Sequence, residues 1–148
     1  MVSYEIRCIE CGAVHDAARP AYTCSSCGNL LEVRIDEPEA AEGLAEGDYQ
    51  DRPLSVWRYR EAIPVDDISQ VVSLREGGTQ LVRCRRLEEE LGLSNLWIKF
   101  DGTNPTGSFK DRGMTVGVTK ALELGMQTVT CASTGNTSAS LALYCSAT

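Results

Sequence analysis

The sequence has little of several residue types, and each shortage narrows the functions to consider. Its 148 residues include one histidine and three lysines, and 21 acidic residues outnumber 14 basic ones to give a formal net charge of -7. An acidic chain is a poor general binder of nucleic acid. No run approaches the ~18 consecutive apolar residues of a membrane helix, and residues 1–7 lack the apolar core of a secretory signal. We therefore expect a cytoplasmic protein without a nucleic-acid or membrane partner.

The negative charge is concentrated in the middle of the chain. Residues 32–67 hold 11 acidic and 4 basic residues, whereas the remaining residues hold 10 of each. Within this segment, DEPEAAEG at residues 36–43 has few large apolar groups, which is typical of a solvated linker. The predicted organisation is a small module at residues 1–35, an acidic linker and lead-in segment at residues 36–67, and an α/β domain at residues 68–148.

Four of the seven cysteines form two closely spaced pairs. Cys8 and Cys11 make the first C-x2-C pair, and Cys24 and Cys27 make the second, with twelve residues between the pairs. Four thiolates at this spacing can surround a tetrahedral zinc ion, and the glycine that follows each pair suits the turn that closes such a knuckle. Two disulfides are the alternative, but cytosolic thiols stay reduced.

The segments around the cysteines predict a zinc ribbon. Residues 4–7 and 30–35 are typical of short strands, and a metal would supply folding energy that so small a module cannot gain from burial. Residues 1–31 carry three acids and two bases, which favours a structural role over nucleic-acid binding. His15 is expected on the surface, and the other three cysteines are expected in the core. These are Cys84, Cys131 and Cys145.

The second half of the chain alternates between predicted strands and helices. Short apolar runs at residues 71–74, 96–100 and 128–131 indicate strands. Helices are predicted at residues 87–92, from Ser108 to Gly125 and from residue 138, and Ser108 with Asp111 would cap the second of them. This order favours parallel strands in an α/β layer. Because few strands are present and the last helix has no stop signal, we expect the front portion of a longer protein.

Two loops between a strand and a helix carry the candidate chemistry, because ligands bind there in open α/β sheets. The first loop leads to Lys110 in the first turn of a helix, and a neutral lysine amine forms Schiff bases with carbonyls; a solvated lysine is the alternative. The second loop, STGNT at residues 133–137, offers hydroxyl and backbone N–H groups to an anion; a capped helix without a ligand is the alternative.

Both loops resemble those of a known family. NPTGSFKDRG at residues 104–113 closely resembles the cofactor-lysine motif of fold-type II pyridoxal-phosphate enzymes, and ASTGNTSAS at residues 132–140 resembles their asparagine loop. The combination is most similar to the threonine synthase family, some members of which begin with a cysteine-rich ribbon. WRYR at residues 57–60 is also similar to this family, so the resemblance spans nearly the whole chain.

The resemblance implies a function and a set of site residues. Lys110 would hold pyridoxal 5'-phosphate as a Schiff base and, once released, shuttle protons. Asn136 would hydrogen-bond the 3-hydroxyl of the cofactor, and Ser133, Thr134 and Thr137 would bind the substrate α-carboxylate. Members of the family are lyases that convert O-phospho-L-homoserine and water to L-threonine and phosphate, with the cofactor as the electron sink. A homo-oligomer of the full-length protein is a further expectation.

The sequence also departs from the family. Relatives usually have GEGxTPL where LREGGTQL stands at residues 74–81, so that Arg75 replaces the first glycine and Gln80 replaces proline. Because of these two changes, the loop could differ from that of the family in rigidity, and the protein could differ in its choice of substrate. The glycine-rich phosphate loop and the group that meets the pyridine nitrogen lie beyond Thr148 in the family. We therefore expect the isolated chain to be inactive.

Three other functions remain open. Cysteate synthase, a relative that uses phosphoserine and sulfite, is the close enzyme alternative. Threonine and serine dehydratases fit less well, because relatives there usually carry a Ser-x-Gly-Asn-His loop. A different class of function is a zinc-ribbon binding module fused to a non-catalytic α/β remnant.

Overall fold

A computed structural model describes residues 3–47 and 49–148; residues 1, 2 and 48, which fall in the predicted module and linker, lie outside the described residues. The chain divides into two compact units. The first comprises Met1–Arg52, Trp57–Val71 and Thr119–Val129, and the second comprises Pro53–Val56, Val72–Val118 and Thr130–Thr148. None of the helices in the described residues is both long enough and apolar enough to span a bilayer.

The first unit begins with a three-stranded antiparallel sheet in which the first strand is central. Ile6 of this strand lies opposite both His15 and Val33. The sheet confirms the strands predicted at residues 4–7 and 30–35. In chain order, the strands are β1 (Tyr4–Cys8), β2 (Val14–His15) and β3 (Leu31–Ile35).

The segment predicted as a solvated linker instead forms helix α1, Glu37–Glu46. The side chain of Asp36 accepts a hydrogen bond of 3.0 Å from the Glu39 N–H, and Pro38 stands in the first turn, where a missing N–H leaves no bond unmade. Ala40 is buried. Most of residues 36–43 are exposed, as expected of a solvated segment, but acidic residues also stabilise the positive end of a helix.

The rest of the first unit packs around a few apolar side chains. Three short 3-10 turns, Tyr49–Asp51, Val56–Ala62 and Ile68–Gln70, follow α1. Trp57 and Val65 are among the buried residues there. WRYR at residues 57–60 therefore lies within a 3-10 turn and supplies a core tryptophan.

The second unit contains a two-stranded sheet and the helices that carry the predicted loops. Leu81 of β4 lies opposite Lys99 of β5, and the two strands are antiparallel. The elements of this half of the chain are β4 (Gln80–Arg83), α2 (Arg85–Leu91), β5 (Trp97–Phe100), a 3-10 turn (Asp101–Thr103), α3 (Lys110–Glu123) and α4 (Asn136–Ser146).

The antiparallel pairing corrects the expectation of a parallel sheet within these residues. Residues 71–74 and 128–131, both predicted as strands, are irregular. A strand exists only beside a hydrogen-bonded neighbour, and residues 128–131 form no backbone hydrogen bond with any other described residue. In the other segment, backbone groups bond side chains instead, since the Leu74 N–H donates to Glu76 and the Val72 carbonyl accepts from Thr115.

The interior of the second unit is largely polar. Val72, Val118 and Tyr144 are its buried hydrophobic residues among those described, and they are outnumbered by buried polar side chains. The latter include Glu76, Thr79, Glu88, Asn104, Ser108, Asp111, Thr115 and Ser140. The three cysteines predicted in the core are only partly buried. Cys84 directly follows β4, whose residues are all exposed.

Candidate functional site

Lys110 is the first residue of α3. Its backbone N–H donates to the Ser108 hydroxyl over 3.2 Å, so Ser108 caps the helix as predicted. Its side chain is partly exposed, and Nζ lies 4.7 Å from the ring centroid of Phe109. Within residues 3–47 and 49–148, no carboxylate forms an ion pair with this amine.

The asparagine loop leads into α4, whose first residue is Asn136. The cap residue, Gly135, has no side chain for the first-turn N–H groups. Apart from its chain neighbours, no other described residue has a heavy atom within 4 Å of where a Cβ on it would stand. Ser133 and Thr137 are partly buried, whereas Thr134 and Asn136 are exposed. Hydroxyls and free N–H groups beside open space suit an anionic group such as a carboxylate.

A buried carboxyl group joins the two loops. Asp111, which has 0% of its surface exposed, accepts a hydrogen bond of 2.5 Å from Ser140 on α4. It also accepts from the Thr106 hydroxyl at 2.6 Å and from the Thr106 N–H at 2.7 Å. Asp111 follows Lys110, and Ser140 lies one turn beyond Asn136, so the beginnings of α3 and α4 lie side by side. The carboxyl of Asp111 bonds these groups rather than closing a capping box with Ser108.

A second buried carboxyl group holds the next turn of α4. Glu76, also 0% exposed, accepts from the Tyr144 hydroxyl at 2.9 Å, from Ser73 at 3.0 Å and from the Leu74 N–H at 2.8 Å. Burial, together with the hydrogen bond to Glu76, raises the pKa of Tyr144 above its usual value. The hydroxyl of Tyr144 therefore stays protonated and donates to Glu76.

Sequence reasoning missed both of these contacts, although a signal for them was present. Asn136, Ser140 and Tyr144 recur every four residues and therefore share one face of α4. A polar face of this kind on an otherwise apolar helix indicates buried polar partners, but the periodicity does not say which partners.

Arg112 holds the loop that precedes β4. Its Nε and Nη2 lie 2.9 and 2.7 Å from the two carboxylate oxygens of Asp101, and this bidentate contact lowers the pKa of Asp101. The Thr79 hydroxyl donates to Asp101 at 3.1 Å. Gly77 has φ +88, and a Cβ there would stand 3.0 Å from Arg112 Nη1. The loop therefore requires glycine at this position.

The two departures from the family pattern have visible structural consequences. Arg75 takes φ +64, a left-handed conformation that glycine adopts freely and other residues adopt at a cost. The N–H of Gln80 donates to the Thr103 hydroxyl over 3.3 Å, a bond that proline cannot make. The loop therefore has a hydrogen bond at Gln80 that the family's proline could not donate, and it has a strained backbone conformation at Arg75.

The four paired cysteines lie together in the first unit. Their sulfur atoms all lie within 4.8 Å of one another, with 3.5 Å between Cys8 and Cys27 and 3.6 Å between Cys11 and Cys24. A disulfide bond would be about 2.05 Å long, whereas the edge of a tetrahedron with Zn–S bonds of ~2.3 Å is about 3.8 Å. This donor set fits a thiolate-bound metal ion.

The backbone of the two knuckles favours thiolates. Burial raises the pKa of Cys24, but hydrogen bonds lower it to about 5; they come from the N–H groups of Ser26 and Cys27 and from the side chains of His15 and Cys11. The backbone N–H of Cys11 is the main cause of the lowered pKa of Cys8. The Ala13 N–H also lowers the pKa of Cys11, but hydrogen bonds with the other three cysteines raise it to about 12. Thiolates are the form that binds metals.

His15, expected on the surface, is half-buried in β2. Its Nε2 atom is buried and has no hydrogen-bond partner among the described residues. Within residues 3–47 and 49–148, the side chains that lie close enough together to hold a metal ion are those of the four cysteines.

Comparison with known proteins identifies the family. Residues 72–148 match the family model of the pyridoxal-phosphate dependent enzymes. The chain belongs to this family. The matched residues include both Lys110 and Asn136, and the resemblance of the two loops to pyridoxal-phosphate enzymes is confirmed.

The family's curated members include threonine synthases similar to this chain. The identity is 57% over 138 residues to threonine synthase of Methanocaldococcus jannaschii, covering 93% of this chain and 34% of that protein. It is 52% over 141 residues to threonine synthase of Methanosarcina acetivorans, covering 95% and 34%. It is 52% over 96 residues to that of Mycobacterium leprae, covering 65% and 26%. The chain thus spans about a third of the length of the first two relatives.

Proposed function

We propose that the chain carries the lysine and asparagine parts of a threonine synthase active site. The full-length protein would convert O-phospho-L-homoserine and water into L-threonine and phosphate. The observation that carries this proposal is the Asp111–Ser140 hydrogen bond, because it sets the helix of Lys110 beside the helix of Asn136. The similarity to threonine synthases over 93% and 95% of the chain supports the same function.

The described residues fit pyridoxal phosphate. Lys110 offers an amine without a carboxylate partner in residues 3–47 and 49–148, which suits covalent attachment of an aldehyde. The open space at Gly135 leaves room for a ligand near Asn136, whose amide group both donates and accepts hydrogen bonds. When bound, the cofactor supplies an electron sink for the carbanion chemistry of the substrate.

Each site residue has a proposed role. The amine of Lys110 would hold the cofactor and, once displaced by the substrate amine, accept and return protons. Asn136 would hydrogen-bond the 3-hydroxyl of the cofactor and so orient its ring. Ser133, Thr134 and Thr137 would bind the α-carboxylate of the substrate through hydroxyl and N–H groups at the start of α4.

We further propose that the cysteines hold a structural zinc ion. Cys8, Cys11, Cys24 and Cys27 would be its ligands, residues 1–35 a zinc ribbon, residues 36–67 a lead-in segment, and residues 68–148 the first part of a fold-type II domain. Metal analysis of the purified protein should find about one zinc ion per chain, and Cys24→Ser should lower that content. A zinc content well below one in the unmodified protein would refute the site.

Trapping the cofactor tests the enzyme assignment. The full-length protein is mixed with pyridoxal phosphate, reduced with borohydride and digested, and the peptides are mapped by mass. We expect a near-visible absorbance band before reduction and an adduct on Lys110 rather than on the other lysines of this chain, Lys99 and Lys120. Lys110→Ala should abolish both signals. Absence of the band in the unmodified protein would favour a non-catalytic module.

Substrate specificity is tested with the loaded protein. Phosphate release from O-phospho-L-homoserine, with threonine as the product, is the expected result. Release from phosphoserine in the presence of sulfite, without turnover of phosphohomoserine, would identify a cysteate synthase instead. The proposed cytoplasmic location would be contradicted by disulfides between these cysteines in protein isolated from cells.

A further inference from the structure

Two buried carboxyl groups hold α4 at successive turns. Asp111 accepts from Ser140 at 2.5 Å and Glu76 accepts from Tyr144 at 2.9 Å, and all four side chains have 0% exposed surface. We refer to Glu76, Asp111, Ser140 and Tyr144 as the carboxyl clamp. Its two helix residues lie four positions apart on the face of α4 that also carries Asn136.

Stability is a weak explanation for the clamp. Moving a carboxyl group out of water costs hydration free energy, and its hydrogen bonds within the protein compensate for only part of that cost. Replacing a buried polar pair by apolar side chains of similar volume is often neutral or stabilising. Polar contacts provide a directional restraint that apolar packing does not, because a hydrogen bond forms only within a narrow range of distance and angle.

The geometry points to the orientation of Asn136. Two contacts one turn apart fix the rotation of α4 about its axis. One of these contacts is made by Asp111, which is next to Lys110 in the sequence, so the orientation of α4 is fixed relative to the start of α3. On the basis of the proposed function, we infer that the carboxyl clamp consists of positioning residues that aim Asn136 at the ring hydroxyl of the cofactor held by Lys110. The clamp acts through Asn136 and makes no contact with the cofactor.

The test measures cofactor affinity and spectrum in the full-length protein. Ser140→Ala removes one hydroxyl from a helix position where alanine is well tolerated. We expect the dissociation constant of pyridoxal phosphate to rise about five- to tenfold, as for the loss of one well-placed hydrogen bond. The absorption maximum of the bound cofactor should shift in the same direction as in Asn136→Ala, because both changes weaken the bond to the ring hydroxyl.

Combining the variants separates positioning from a general loss of structure. In an Asn136→Ala background, Ser140→Ala should change the dissociation constant by less than about twofold, because a residue that acts through Asn136 has no further effect once that side chain is gone. An equal five- to tenfold loss in both backgrounds would overturn the inference. So would an unchanged affinity and spectrum in Ser140→Ala itself.

A second variant and a matched control complete the design. Tyr144→Phe removes the other hydroxyl contact, and because it lies two turns from Asn136 we expect a smaller rise, about two- to threefold. Thr115→Val removes a buried hydrogen bond of 2.7 Å from α3 to the Val72 carbonyl; it should lower thermal stability without changing cofactor affinity or spectrum. If Thr115→Val shifts the spectrum as Ser140→Ala does, the clamp has no special role.

The outcome distinguishes this inference from the proposed function. If the unmodified full-length protein binds no pyridoxal phosphate, the proposed function fails and the inference fails with it. If the unmodified protein binds the cofactor on Lys110 and the clamp variants behave as the Thr115→Val control does, the proposed function stands and only the inference fails.

Discussion

Arg75 shows how one residue can carry a local cost without affecting its neighbours' bonds. It is exposed, its φ is +64, and its N–H donates to the Ser73 hydroxyl at 3.3 Å. Glu76 beside it is fully buried, so the loop needs the left-handed turn to bring that carboxyl inward. The family's usual glycine would make the turn without strain.

Replacing Arg75 with glycine should therefore stabilise the protein. Relief of the left-handed strain is worth about 1–2 kcal/mol, and the greater freedom of glycine in the unfolded chain offsets about 0.4–1 kcal/mol of that. We expect a net gain of about 0.5–1 kcal/mol in the free energy of unfolding, measured by urea denaturation. Asn95→Gly is the control, since Asn95 has φ +60 but asparagine tolerates this conformation, and it should gain less. A lower stability of Arg75→Gly would contradict the assignment of strain.

Glu61 is a residue whose charge matters for the pH range of the fold. Arg52 donates from Nη2 to Oε1 at 2.6 Å and from Nη1 to Oε2 at 2.7 Å. These bonds lower the pKa of Glu61 from 4.5 to about 2. Because the folded-state pKa is depressed, the pair stabilises the protein above pH 4.5 and loses this contribution as pH falls toward 2.

Glu61→Gln should remove that pH dependence. The difference in unfolding free energy between the unmodified protein and the variant should be largest above pH 4.5, at most on the order of 3 kcal/mol, and should shrink as pH falls toward about 2. Urea denaturation at a series of pH values measures it. Glu42→Gln, at an exposed position on α1, is the matched control and should follow the unmodified protein. A constant difference across the range would show that the ion pair does not titrate with folding.

At the scale of elements, α1 shows that a cap can decide whether an acidic segment folds. Its sequence has few large apolar residues, yet Asp36 caps the helix, Pro38 suits its first turn, and Glu37 and Glu39 stand at the positive end of the helix dipole. Glu39 also accepts a hydrogen bond of 2.7 Å from the Ser3 N–H. The helix therefore depends on its first turn more than on burial.

Asp36→Ala should destabilise the protein by about 1 kcal/mol, the usual loss when a capping side chain is removed. Asp36→Asn keeps an oxygen that can accept from the Glu39 N–H and should lose only a small part of this. Urea denaturation of the three proteins gives the comparison. If the asparagine variant is as unstable as the alanine variant, the cap hydrogen bond is not the source of the effect.

At the scale of the whole molecule, local sequence signals predicted part of the local structure, although α1 was not expected and the strands expected at residues 71–74 and 128–131 did not form. The C-x2-C spacing predicted the cysteine cluster, and Gly125, with φ +68, ends α3 as expected. Contacts between distant residues were out of reach: Asp111 and Ser140 are 29 positions apart, and Glu76 and Tyr144 are 68 apart. The burial of a carboxyl group depends on such partners, so the motifs indicated Lys110 and Asn136 without indicating what holds their helices together.

The small sheet β1–β3 should depend on metal more than the second unit does. Most of its residues are partly exposed, and a module of this size gains little free energy from burial. The proposed metal ion would therefore supply much of the free energy that holds it together. Removing the metal with a strong chelator should speed hydrogen exchange of the β1–β3 amide groups far more than that of α4, as mass spectrometry of peptides would show. Cys24→Ser should mimic the chelator, whereas Cys84→Ser, outside the cluster, should leave exchange unchanged. Unaltered protection of β1–β3 after complete loss of metal would mean that the four sulfurs do not stabilise this sheet through a bound ion.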